Sequence, residues 1–181
     1  LNRKKITYVF LFLTLNLASQ EVEPYNLMVN SDISYISYEG KHILHDWIGI
    51  NNKIKGVMVI ENGAPNKIAV SVSVKDFDSG NSGRDSHALE LIESLIHPKI
   101  SFFSDEFNQI DENINLSGKI NFHGIEKQIS VNGKINKDEF ISFKGDFVLS
   151  PSDFDVKLPS FMFSKMEDNI KIKYELFFEK K

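Results

Sequence analysis

Ile170-Lys171-Ile172-Lys173-Tyr174-Glu175-Leu176 alternates apolar and polar residues without a break. Successive side chains on a strand point to opposite faces, so this segment has one apolar and one wet face. Asn113 to Phe122 repeats the pattern, with Ile114, Leu116, Ile120 and Phe122 on one side and Asn115, Ser117, Lys119 and Asn121 on the other. Ile68, Val70, Val72 and Val74 do the same against Ala69, Ser71, Ser73 and Lys75. Many such strands and a single helix predict an all-β fold: an antiparallel barrel of about eight strands that hides its apolar face by curling on itself.

Outward from these strands, Tyr25 to Tyr38 holds two short strand-like stretches, and Trp47 to Glu61 puts Ile54, Met58 and Ile60 on one face. Asn62-Gly63-Ala64-Pro65-Asn66 reads as a turn. Further strands are expected over Lys99–Phe107, Lys127–Asn136, Glu139–Leu149 and Asn169–Phe178, with hairpin turns at Gly124 and Lys137-Asp138. Between them, Asp78-Ser79-Gly80-Asn81-Ser82-Gly83 is a loop. Ser82 and Asp85 suit a capping arrangement, and Ala88, Leu91, Ile92 and Leu95 recur at helical spacing until Pro98. The spacing predicts a helix over Arg84–Ile96 across one barrel opening.

Residues 1–20 have the layout of a secretory signal peptide: Arg3, Lys4 and Lys5, an apolar run from Ile6 to Ala18, then small residues. The run is short for a membrane span. Residues 21–181 are expected to form one domain, periplasmic or secreted after cleavage. The leader holds three of the 21 basic residues and none of the 25 acidic ones, so 18 face 25 and the domain carries −7. That excess argues against nucleic acid, whose binding needs basic surface. With no cysteine, disulfides and thiol catalysis are excluded.

Twelve of the 15 phenylalanines follow residue 100, and Ile141, Phe143, Phe147 and Leu149 share a face. These residues either fill an ordinary core or line an elongated cavity. The inward candidates for a ligand are Val72, Val74, Phe102, Leu116, Ile120, Val131, Phe143, Phe147, Ile172 and Tyr174. Arg84, the sole arginine after the leader, can neutralise a head group or simply pair with Asp85 or a loop acid and order the helix start. One arginine balances a pyrophosphate poorly, which favours an uncharged head such as a quinone ring or an alcohol; Lys41 and Lys157 are further cations without a predicted place.

No nucleophile elbow, phosphate loop or paired-carboxylate spacing is present, and the expectation is a non-enzymatic protein without a cofactor. His42 and His45 are three apart, but in a loop or strand entry that spacing does not unite two imidazoles. They, with His87, His97 and His123, read as ordinary polar histidines, and no metal is expected. A metal-dependent enzyme would need His42 and His45 to converge with an acid.

Several landmarks, in order, resemble the YceI family of exported bacterial proteins. They are Phe77 to Asn81 with Arg84 to His87, Pro98 to Ser104, Leu116 to Lys127, and Leu149 to Phe154 with Asp168 to Ile172; His45 to Gly49 is a looser match. The resemblance implies a lipocalin-like barrel binding an isoprenoid-type lipid, with barrel side chains on the tail. This chain has Pro151 where the family often has arginine and Asp155 where it has glycine. If that arginine holds a ligand head, it is missing here. The expected partner is an isoprenoid lipid or a quinone, with transient contact at a membrane. The alternative is an interaction module with a filled barrel whose surface binds a protein.

Overall fold

The computed structural model describes residues 23–42, 45–137, 140–161 and 164–180; the leader reading falls outside them. The described residues form twelve strands: β1 (Tyr25–Val29), β2 (Tyr35–His42), β3 (His45–Asn51), β4 (Ile54–Glu61), β5 (Ala64–Ser73), β6 (Lys99–Ile110), β7 (Asn113–Phe122), β8 (Ile125–Lys137), β9 (Ile141–Leu149), β10 (Ser160–Phe161), β11 (Ser164–Lys165) and β12 (Ile170–Glu179). Hydrogen bonding runs β1-β4-β5-β6-β7-β8-β9-β12, and β1 also pairs with β12, through Met28 with Glu179 and Val29 with Phe178. This closes an eight-stranded antiparallel barrel and removes its edges. The β2–β3 hairpin adds to the wall beside β12 and is tied to the chain ahead of the helix by reciprocal backbone bonds of 2.9 Å between Ile50 and Asp78.

Tight turns set the register. Asn62-Gly63 joins β4 to β5 and His123-Gly124 joins β7 to β8, with φ of 51°, 77°, 50° and 75° in that order. Two consecutive positive φ values twist a hairpin in the sense the strands require. The first turn is thus shorter than the five residues expected, and Pro65 lies within β5 beside a register shift between Val59 and Ile60. Trp47 to Glu61 also divides into β3 and β4. Asp155, where the family resemblance expects glycine, has φ of 56°.

The helix differs from its forecast. α1 spans Ser82–Leu91, and its N-cap is Asn81, whose side chain accepts from the Arg84 amide at 3.0 Å. Asp85 instead accepts from the Ser79 amide at 3.2 Å. At the far end Ser94 N–H donates to Leu89 O and Glu93 N–H to Glu90 O, the Schellman pattern that terminates a helix. The helix therefore stops at Leu91, seven residues before Pro98, and Leu95 is 97% exposed rather than part of the apolar stripe.

Candidate functional site

The barrel interior is divided along its length. Around the start of β7, the end of β8 and the end of β12, Ile114, Leu116, Ile135 and Phe178 pack with Leu27, Ile54, Met58 and Ile60 into a closed core, and Ile68 and Leu176 reach from it to the cavity. Toward the opposite end, beneath α1, lies a cavity of about 590 Å³. Its walls are aliphatic and aromatic; its roof is α1 together with Pro151, Val156, Leu158 and Pro159.

The sequence candidates fall almost entirely on this wall. Val72, Val74, Phe102, Ile120, Val131, Phe143, Phe147, Ile172 and Tyr174 line the cavity. Leu116 does not: it is 0% exposed and belongs to the closed core. Val74 reaches the wall from a 3-10 turn, Val74–Asp76, rather than from mid-strand.

Tyr174 sits at the boundary of core and cavity. Its ring packs on Phe143 with centroids 4.9 Å apart, and its hydroxyl donates to Asn132 O at 2.9 Å. The phenol lies against Gly133 and Gly145, which face each other across β8 and β9; a Cβ on either would come within 2.7 Å of the hydroxyl oxygen. Absent side chains thus create the space that a large aromatic fills. Burial, then the nearby Asp146 charge, pushes the Tyr174 hydroxyl well above its ordinary range, so it stays a neutral donor.

The charged part of the site lies where α1 meets β3. Arg84 rests over the Trp47 ring at 5.3 Å, a cation–π distance, and its Nη1 approaches Ser79 Oγ at 3.4 Å. Asp85, one of the two kinds of partner considered for Arg84, accepts instead from the Ser79 amide. Tyr38 stacks edge-on against Phe77 at 5.6 Å. Its hydroxyl is raised by burial, opposed by a hydrogen bond with Trp47, and raised further by Asp85. Tyr38, Trp47, Arg84 and Asp85 all border the cavity, whereas Lys41 and Lys157 do not. The importance of Tyr38 and Trp47 was hidden in sequence because β2 and β3 join the wall only through tertiary pairing.

The histidines divide in an unexpected way. His42 and His45 are backbone partners at the tip of β2–β3, but their side chains lie outside the described residues. His97 and His123, 26 positions apart, stack edge to face with centroids at 4.6 Å, and Glu93 joins them. The hairpin that delivers His123 is visible in the sequence; its meeting with the chain after the helix is not.

Residues 27–178 match the family model described as the YceI-like domain. The UPF0312 protein plu2095 of Photorhabdus laumondii is 23% identical over 159 residues, 83% of this chain and 81% of that one. The chain spans about half the length of the Pectobacterium relatives it matches; the P. carotovorum protein PC1_2518 is 23% identical over 107 residues, 56% of each chain. Among solved structures, Burkholderia cenocepacia BcnA superposes with a TM-score of 0.75 at 18% identity, over 82% of this chain and 98% of that one. A polyisoprenoid binding domain from Saccharophagus degradans gives 0.69 at 10% identity, over 86% and 98%. These two likenesses concern the fold.

Proposed function

The chain belongs to the YceI-like domain family, and from that premise we propose that it is an exported, non-enzymatic binding protein that holds the apolar tail of an isoprenoid-type lipid or quinone in its barrel. One observation carries the reading: a cavity of about 590 Å³ whose lining is predominantly apolar, with Tyr38, Trp47, Arg84 and Asp85 close together on its border. That volume lies in the roughly 300–1,000 Å³ range of small-molecule pockets. Burying a few hundred Å² of tail at roughly 25 cal/mol per Å² supplies several kcal/mol before ordering costs. A barrel filled to its centre, the premise of the interaction-module alternative, is at odds with that space.

This border favours an uncharged head group. Tyr38 offers a neutral hydroxyl beside one arginine and one carboxylate, a set suited to a carbonyl or hydroxyl and poorly matched to a pyrophosphate. Leu95 and Ile96, 97% and 70% exposed, follow α1 and offer an apolar surface for transient contact with a bilayer.

Gentle isolation from the native host, solvent extraction and mass spectrometry test the proposal directly. The expected result is a lipid with an isoprenoid tail. Trp47 is the sole tryptophan and lines the cavity, so its fluorescence should respond saturably to an added short-chain quinone. A lipid-free extract together with an unresponsive Trp47 overturns the reading.

A further inference from the structure

Beside the cavity, where the chain leaving α1 meets the β7–β8 hairpin, Glu93, His97 and His123 bring one ligand-type atom each to within 4.8 Å of the others. We propose that these three residues form a binding site for a zinc-type divalent cation that ties the end of the roof helix to the barrel.

The hydrogen bonding of His123 is the first argument. Its Nδ1 is 2.8 Å from Phe154 O, a carbonyl that can only accept, so Nδ1 carries a hydrogen. Its Nε2 faces Glu93 Oε2 at 3.2 Å. That orientation turns Nε2 toward the carboxylate, as two ligands sharing one ion require, and the His97 ring stacked on His123 brings a third ligand-type atom to the same place. The fixed Nδ1–H···O=C bond is also the outer contact that commonly orients a metal-binding histidine.

Geometry is the second argument. Zinc bonds of about 2.0–2.2 Å in a tetrahedron put neighbouring ligand atoms ~3.3 Å apart. The Glu93–His123 edge already has nearly that length. No pair is wider than 4.8 Å, so side-chain rotation has to close at most about 1.5 Å. Two imidazoles and a carboxylate suit zinc, and three protein ligands leave a position for water.

The third argument is local strain. Glu93 occupies the position just past the helix, with φ of 48°, and His123 opens a hairpin turn with φ of 50°. Glycine or asparagine ordinarily takes such positions. His97 lies against Gly124, where a Cβ would come within 2.6 Å of its ring. Two of the three proposed ligands therefore break a local preference, a cost that concentrates at functional sites.

The neighbouring Ile92 and Phe122 line the cavity, so the ion would brace the cavity from outside without entering it. The site does not depend on the lipid reading. Titration of tag-free protein with zinc chloride, by calorimetry and by equilibrium dialysis, should show one saturable equivalent that raises Tm. His97→Ala and Glu93→Gln, checked for folding by circular dichroism, should each weaken zinc at least about tenfold, the scale on which even outer-shell changes act. His87→Ala lies outside the cluster and should retain it. X-ray absorption should report two imidazoles. Absence of a saturable equivalent, or binding that survives His97→Ala and Glu93→Gln together, overturns the proposal.

Discussion

The two ends of the barrel share the same strands but use their apolar residues differently. At the closed end Met58, Ile60 and Phe178 are each 1% exposed and Leu116 is 0% exposed. At the roofed end Ile100, Phe102, Phe147, Leu149 and Ile172 are only partly buried, and α1 and the chain after β9 cover them. Alternation alone therefore determines which side of a strand faces inward, not whether the inside is full. The packed end supplies stability to a domain whose other end is left hollow, a division expected when one interior must both fold and bind.

This difference is sharpest for truncations at the two ends. Leu116→Ala should destabilise by about 2–5 kcal/mol through lost burial and the cavity it leaves, seen as a lower denaturant midpoint at unchanged slope. Phe147→Ala, on the cavity wall, should cost far less stability yet weaken retention of an added isoprenoid or quinone. Equal destabilisation by the two would break the distinction between plug and pocket. Phe143→Asp should abolish both properties, because Phe143 is 3% exposed and an unpaired carboxylate there opposes folding.

Gly145→Ala probes the border. A Cβ there would approach Asn132 O to 2.4 Å as well as the Tyr174 hydroxyl, and the backbone oxygen cannot swing aside. The expected cost is about 1–3 kcal/mol by overpacking, with Tyr174 displaced toward the cavity and ligand affinity reduced. Wild-type stability and affinity in this variant would show that the phenol does not rest where the two glycines place it.

Much of this was legible in sequence, for reasons particular residues make plain. β7 is bounded as its alternation predicts, at Asn113 and Phe122, because every second residue is buried and the turns at both ends are two residues long. Nine of ten inward candidates reach the cavity because face is a local property. Leu116 shares that face with Ile120, yet lies deeper; depth along a barrel depends on stagger between strands, which no single strand encodes. The helix ends early because Glu93 accepts a left-handed conformation, and a lone glutamate announces no such turn. The meeting of His97 with His123 is likewise a product of two separate chain reversals.

The smallest predicted effect concerns the hydroxyl of Tyr174. Tyr174→Phe keeps the ring over Gly133 and Gly145 but leaves Asn132 O without this donor, a loss of about 1 kcal/mol at neutral pH. The alkaline limb is more diagnostic. The unfolded chain releases this proton near its ordinary value of 10.0, whereas the folded chain holds it to higher pH. Above that value the unfolded state binds fewer protons than the native one, so stability is fully present below pH 10 and declines as pH rises. Tyr38 acts in the same direction, so Tyr174→Phe should flatten the decline without abolishing it. Denaturant midpoints measured from pH 8 to 11 would decide the matter: parallel curves for wild type and variant would mean that Tyr174 titrates as freely as an exposed tyrosine, and the boundary between plug and pocket would then lie deeper than its ring.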